Sequence, residues 1–246
     1  MKKLAMTITL ALTSTFLFSC QNAASSKDAL KETQLCLNTS LPASARNCVT
    51  KISSDLSAAA FKLRCAAIFI SEGYNTPSAF TGAFDQINST GSCTGGCSST
   101  VNAINSLNFH SGINLGTDPV ARQRNTDVAT EAFLNCSQSG ANVYTQISSL
   151  FQIGTLATMA YYSLGSSTTP TQDQIKTAIG TLDPATLGGI VNTTYTSTCS
   201  GDLSKASAAT VKLCSDLGAA VAGGATPTAV GACLKIKLAN PAATCP

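Results

Sequence analysis

Apolar residues along most of the chain recur every three or four positions, the spacing that places them on one face of an α-helix. The clearest run extends from Val143 to Leu164. Polar residues interrupt it at four places, namely Gln146, Ser148, Ser149 and Gln152. A stretch interrupted in this way is too polar to span a bilayer, so the pattern predicts a buried core helix.

Capping residues mark where several helices should begin. Asp118 and Thr226 each precede a proline, a combination typical of the first turn of a helix. The segment 171–174 (TQDQ) matches a capping box, and Asp202 is a further candidate cap. We therefore expect four helices to start at these positions.

A long helix is predicted in the first half. Apolar positions from Val49 to Ile70 share one helical face, and Gly73 is the expected terminating glycine. Cys48 and Cys65 would then lie on the same helix, about 25 Å apart at a rise of 1.5 Å per residue. On this interpretation the two cysteines cannot form a disulfide with each other.

Other segments give a weaker pattern. Thr76 and Pro77 indicate a short helix, followed by a loop rich in serine and glycine at about 89–99. Asp183 and Pro184 indicate the start of a helix over 184–199. The segment contains Gly188-Gly189, however, and its last nine residues are rich in threonine. Its end could therefore be extended instead of helical.

The predicted fold is all-α, a disulfide-stapled bundle of about seven to nine helices. The expected organisation is a signal peptide at 1–19, a lipidated tether at 20–27, and a helical part at 28–165. A linker at 166–170 (SSTTP) would separate this part from a helical C-terminal part at 171–246, unless the two form one continuous domain.

Low charge is the main compositional feature of the chain. Charged residues make up 11% and hydrophobic residues 44%, and the formal net charge is +3. Removal of Lys2 and Lys3 with a signal peptide leaves 13 basic residues (15 minus 2) against 12 acidic ones, a net charge of +1. The chain has no basic run larger than the pair Arg122 and Arg124, so nucleic acid is not an expected partner.

The first residues have the form of an export signal. A positive start is followed by an apolar stretch that is short for a membrane span. The sequence Leu17-Phe18-Ser19-Cys20 at its end resembles the lipobox of bacterial lipoproteins. Phe18 departs from the commonest form of that motif, which has a small residue there. A conventional signal peptide that discards Cys20, or a single membrane anchor, is the alternative.

The lipobox resemblance implies a function for Cys20. In bacterial lipoproteins the corresponding cysteine receives a diacylglycerol and becomes the first residue after the signal peptide is removed. Gln21 resembles the residue found in lipoproteins sent to the outer membrane. The resemblance therefore implies a lipid anchor, with palmitate among the acyl chains, on the periplasmic or the surface face of the outer membrane.

Cysteine parity supports the same interpretation. Of eleven cysteines, ten follow Cys20, and ten is the number required for five disulfides in an exported chain. Cys93 and Cys97 lie in a glycine-rich loop, where they could form a disulfide with each other or each pair with a different cysteine. The alternative is that they form half of a metal site together with His110. The remaining disulfide candidates are Cys36, Cys48, Cys65, Cys136, Cys199, Cys214, Cys233 and Cys245.

The inventory of catalytic residues is small. His110 is the single histidine, which excludes motifs that need two. Asp127 and Glu131 are four residues apart and could serve as paired carboxylates, as in glycoside hydrolysis, but a solvated charged helix face is the simpler interpretation. The segment 201–204 (GDLS) only resembles a lipase motif in transposed order. We therefore expect no catalytic residue, no metal and no cofactor.

Three functions fit these observations. The first is a membrane-anchored envelope lipoprotein with a non-enzymatic binding or structural role and a possible protein partner. The second is a carrier of an apolar ligand held between helices, and the third is an enzyme of unfamiliar type. For the carrier, simple core packing is the competing explanation of the candidate lining residues. These are Phe80, Phe84, Leu150, Phe151, Tyr161 and Tyr162.

Overall fold

The computed structural model describes residues 26–75, 107–111, 114–166, 168, 170–199, 208–240 and 242–245. Within these ranges the chain forms nine α-helices, two short 3-10 helices and no strand, which confirms the predicted all-α class. The α-helices are α1 (26–39), α2 (Ala45–Cys48), α3 (Ala58–Ser71), α4 (Pro119–Gln138), α5 (Asn142–Ser163), α6 (Gln172–Thr181), α7 (Pro184–Cys199), α8 (Ala208–Ala222) and α9 (Pro227–Ala239).

Three of the predicted helix starts are confirmed by their caps. The Asp118 carboxylate accepts hydrogen bonds from two backbone N–H groups of the first turn of α4. Thr171 and Gln174 form the capping box of α6, with the Gln174 side chain accepting from the Thr171 backbone N–H at 2.8 Å. The Thr226 hydroxyl accepts from Ala229 N at the start of α9. Asp202, like the short helix predicted after Thr76, lies outside the described residues.

The long helix predicted from Val49 to Gly73 is wrong, because the chain turns before α3. A 3-10 helix at Thr50–Ile52 is followed by a turn, and Ser57 then caps α3 by accepting a hydrogen bond from Ala60 N at 3.2 Å. The Arg64 guanidinium stabilises the turn by donating to the carbonyl oxygens of residues 52, 53 and 55. The predicted end is nevertheless correct, since Gly73 has a φ of +91° that suits glycine.

Because of this turn, Cys48 and Cys65 do not share a helix, and the 25 Å estimate does not apply to them. Each pairs elsewhere: Cys48 with Cys36 of α1, and Cys65 with Cys136 of α4. The prediction that they do not pair with each other was therefore right for the wrong physical reason.

Helix α5 is the centre of the bundle and packs against α4, α6 and α7. Its middle is buried on all sides, including polar residues such as Ser148 and Ser149. Both hydroxyls donate to the backbone carbonyl of Thr145, at 3.0 and 2.6 Å. Backbone carbonyls can accept these hydroxyls, so the polar residues fit in a core without outside partners. No helix of the described chain is long and apolar enough to cross a membrane.

Helix α7 is continuous, so the extended structure considered for its end is wrong. Gly188 lies where α7 meets α9, and a Cβ added to it would collide with the backbone of Pro227 and lie 2.8 Å from Gly231 N. Gly231 on α9 faces the Pro184 carbonyl in the same way. The glycine in α7 therefore permits two helix backbones to approach closely, and the helix is stabilised by this packing.

The main core includes residues from both sides of the segment 166–170. Phe151 of α5, Ile175 of α6 and Leu234 of α9 belong to one cluster of buried side chains. A second, smaller cluster joins α1, α2 and α3 through Leu37 and Ala67. The helices before and after 166–170 thus share a core, and a domain boundary at that segment stays a prediction.

Candidate functional site

Several sequence candidates lie outside the described residues. They include the lipid-attachment candidate, the loop cysteines, two aromatic residues proposed to line a ligand site and the GDLS segment. These are Cys20, Cys93, Cys97, Phe80, Phe84 and 201–204.

The other eight cysteines form four disulfides. Their Cα–Cα distances lie between 5.0 and 5.6 Å, within the range usual for disulfides. Three bonds close short segments of 12 or 15 residues, whereas one spans 71 residues and joins α3 to α4. The pairs are Cys36–Cys48, Cys65–Cys136, Cys199–Cys214 and Cys233–Cys245. None of these eight side chains is available as a thiol nucleophile or a metal ligand.

The charged face of α4 forms one wall of an open groove of about 680 Å³. Its apolar lining residues are Pro119, Val120 and Val128, and its polar ones are Arg46, Gln123, Arg124, Asp127 and Glu131. Glu131 pairs with Arg46 at 2.7 Å, and Asp127 accepts a hydrogen bond from Gln123 at 2.8 Å. The two carboxylates proposed as a catalytic pair are therefore exposed and engaged with different neighbours, which supports the simpler interpretation as a solvated helix face.

Glu72 is a functional-site candidate that the sequence pattern did not identify. Its side chain is 2% exposed and forms two hydrogen bonds with the Arg124 guanidinium, at 2.7 and 2.9 Å. The Ser111 hydroxyl donates to the same carboxylate at 2.8 Å. These partners compensate the burial of the charge and connect the end of α3, the start of α4 and the segment at 107–111.

Asn125 adds buried hydrogen bonds between α4 and the segment at 107–111. It is fully buried, and its amide accepts from Ser111 N at 3.1 Å and donates to the Ser111 carbonyl at 2.9 Å. The sequence did carry a signal for it, because Asn125 lies three residues before buried Val128 on the apolar face of α4. A polar residue at such a position usually has a specific hydrogen-bonding partner.

His110 lies at the rim of a small polar cavity of about 150 Å³ beside Glu72 and Ser111. Its Nδ1 lies 3.4 Å from the backbone carbonyl oxygen of Asn108, and the ring is exposed. The neighbouring Ser111 hydroxyl donates to the Glu72 carboxylate. In the described part of the chain no three histidine, cysteine, aspartate or glutamate side chains are grouped as metal ligands.

Of the residues proposed to line an apolar ligand site, Leu150 and Phe151 are part of the core. Phe151 packs at ring-centroid distances of 4.7 to 5.0 Å against Phe69, Tyr74 and Phe109. Burial, with a smaller contribution from the charge of Glu72, raises the pKa of Tyr74 to about 12. Leu150 is likewise buried in the core, as the core-packing explanation expects.

A comparison of this chain with protein-family models, with curated proteins and with solved structures finds no match.

Proposed function

We propose that the protein is a lipoprotein of the bacterial cell envelope, anchored in the outer membrane through a lipidated Cys20. We further propose that its folded body has a binding or structural role and no enzymatic one. The observation that carries the anchor is the pairing of the cysteines after Cys20.

The pairing supports both the compartment and the anchor. Disulfides form and persist in oxidising compartments outside the cytoplasm, and four are present in the described chain. Eight of the ten cysteines after Cys20 are thereby used, and Cys93 and Cys97 remain as an even pair. Cys20 is then the cysteine that the disulfide set does not need, and its lipobox-like setting gives it a separate role.

The α4 groove supports the proposed binding role. It combines an exposed apolar residue, Val120, with basic and acidic side chains on the same surface. Such a mixed surface suits a protein partner better than a nucleic acid, which requires a uniformly basic one. Arg46 pairs with Glu131 and Arg124 pairs with Glu72, so both signs of charge lie along this face.

Metabolic labelling tests the anchor. The full chain, expressed in a Gram-negative host with an alkyne analogue of palmitate, should carry the label in the outer-membrane fraction. The Cys20→Ala variant should lose the label, whereas a Cys93→Ala variant should keep it. Persistence of the label in Cys20→Ala would refute the proposed site of attachment.

Crosslinking in whole cells tests the binding role. A photoreactive residue placed at Val120 should give a discrete crosslinked protein band, and the same residue placed at exposed Val211 of α8, a helix that does not line the groove, should not. Equal products from both positions would argue against the α4 groove as the binding surface.

A further inference from the structure

The position of the tether defines one end of the bundle. Helix α1 begins at Ser26, six residues after Cys20. At about 3.3 to 3.6 Å per residue, a fully extended segment of this length spans about 20 Å. If Cys20 is lipidated, as proposed above, Ser26 therefore cannot lie further than about 20 Å from the lipid headgroups.

A chain of polar contacts shows which elements share this end. The Ser26 hydroxyl donates to the Asp55 carboxylate at 2.9 Å. The Arg64 guanidinium donates to the Asp55 backbone carbonyl at 2.8 Å and to the Asn135 side chain at 3.0 Å. The start of α1, the turn before α3 and the last turns of α4 are therefore neighbours.

Exposed apolar side chains lie at the same end. Leu56, next to Asp55, is 80% exposed, and Val143, in the first turn of α5, is 63% exposed. Tyr144 is also exposed, and the Lys62 ammonium lies 5.5 Å from the centroid of its ring. We call Leu56, Val143 and Tyr144 the anchor-end residues.

The chemistry of this end suits a lipid headgroup layer. Tyrosine is enriched where proteins meet the membrane interface, and lysine beside it can pair with anionic lipid phosphates. The chain between Glu131 and Asp173, which includes Val143 and Tyr144, contains no charged residue that would resist partial dehydration. Exposed Ser53 and Ser54 add hydroxyls that can bond to headgroups.

We infer that this end of the bundle rests on the bilayer, with the anchor-end residues in contact with its interfacial region. The inference depends on the proposed lipid anchor and adds an orientation to it. Val120 lies 15 residues before Asn135 on α4, a distance of about 22 Å along the helix. The α4 groove would thus extend away from the membrane, where a partner can reach it.

Two tryptophan probes on one helix test the orientation, because the chain contains no tryptophan. Tyr144→Trp places a probe at the anchor end. Leu164→Trp is the matched control, since Leu164 is 65% exposed and lies just after the other end of α5, about 30 Å away. Lipidated full-length variants are reconstituted in vesicles of phosphatidylethanolamine and phosphatidylglycerol that contain lipid brominated near the headgroup end of its acyl chains.

The expected result is a loss of about half or more of the Tyr144→Trp emission, with little loss for Leu164→Trp, because interfacial groups lie about 5–10 Å deep. Equal quenching of the two variants, while both float with the vesicles, overturns the orientation and leaves the anchor intact. Failure of both to float overturns the anchor, and the orientation with it.

A second copy of the chain is the competing occupant of this end. Sedimentation of the unlipidated Cys20→Ala variant should show a monomer. A dimer that dissociates in the further variant Val143→Ser would assign the anchor-end residues to self-association and overturn the inference.

Discussion

Helices α3 and α4 are joined mainly by side chains, whereas α7 and α9 meet at their backbones. The first pair is connected by the Cys65–Cys136 disulfide and by the hydrogen bond from Arg64 to Asn135. The second pair meets at Gly188 and Gly231, where a single added methyl group would strike the opposing backbone. The first contact can lose one link and keep others, but the second depends on the absence of side-chain atoms.

This difference predicts how each region responds to substitution. For the α3–α4 contact, the loss of unfolding free energy should depend on which link is removed, the disulfide or a hydrogen bond. Any larger residue at Gly188 or Gly231 should disrupt the α7–α9 contact, whereas a substitution at Gly189 should not affect that contact.

Removal of the disulfide between α3 and α4 should have the largest effect. The variant with Cys65→Ala and Cys136→Ala should lose about 4 kcal/mol of unfolding free energy, because this bond closes a segment of 71 residues. The matched control, with Cys36→Ala and Cys48→Ala, opens a 12-residue segment and should lose about 3 kcal/mol. Denaturant unfolding measures both, and a larger loss in the control would contradict the entropic explanation.

Gly188→Ala should destabilise the α7–α9 contact by about 3 kcal/mol, at the upper end of overpacking effects, because the opposing atoms are backbone and cannot rotate away. Gly189→Ala is the adjacent control. Nothing lies within 4 Å of its added Cβ, and alanine should stabilise the helix by about 0.5–1 kcal/mol. Thermal unfolding monitored by circular dichroism should shift in opposite directions for the two variants. Similar shifts would show that the backbones do not meet at Gly188.

The two ion pairs of the α4 face should differ in strength. Glu72→Gln should lose about 1.5–3 kcal/mol, because the buried carboxylate bonds to Arg124 through both oxygens. Glu131→Gln should lose less than about 1 kcal/mol, because its pair with Arg46 is exposed to solvent. Urea unfolding of the two variants measures the difference, and equal losses would count against a special role for Glu72.

Acid should weaken the anchor end through Asp55. Hydrogen bonds from the Ser57 backbone N–H, and then from the Ser57 and Ser26 hydroxyls, lower the pKa of Asp55 below its ordinary value of 3.8. A carboxyl whose pKa is lower in the folded chain stabilises the fold above pH 3.8, and this contribution is lost as the pH falls through the folded-state pKa. Asp55→Asn should therefore show a shallower loss of stability between pH 4 and pH 2 than the parent chain. Identical pH profiles would mean that the hydrogen bonds from Ser57 and Ser26 to Asp55 do not persist in solution.

Local sequence signals were sufficient for the ends of several helices. The caps at Asp118, Thr171 and Thr226 depend on residues within one turn, so their chemistry can be seen in the sequence. Gly73, which ends α3 with a positive φ, is also a signal that can be seen in the local sequence. Such features need no knowledge of the rest of the fold.

Features that depend on distant residues were missed. The apolar spacing predicts a helix through residues 53–57, where the structure has a turn. Spacing could not reveal this turn, because the side chain that stabilises it, Arg64, lies in the following helix. Gly188 looked like a weak point in α7, and only the approach of α9 explains it. The pairing of Glu72 with Arg124 spans 52 residues, and the disulfide connectivity also depends on contacts that spacing does not encode.

We propose that Cys20 carries lipid while the later cysteines pair among themselves. Intact-mass spectrometry of the full chain, extracted from envelope membranes without reduction, tests both parts at once. We expect a chain that begins at Cys20, carries acyl groups on that residue and reacts with no thiol reagent until it is reduced. A mature chain that begins after Cys20 without acyl groups, or one with free thiols among its later cysteines, would contradict it.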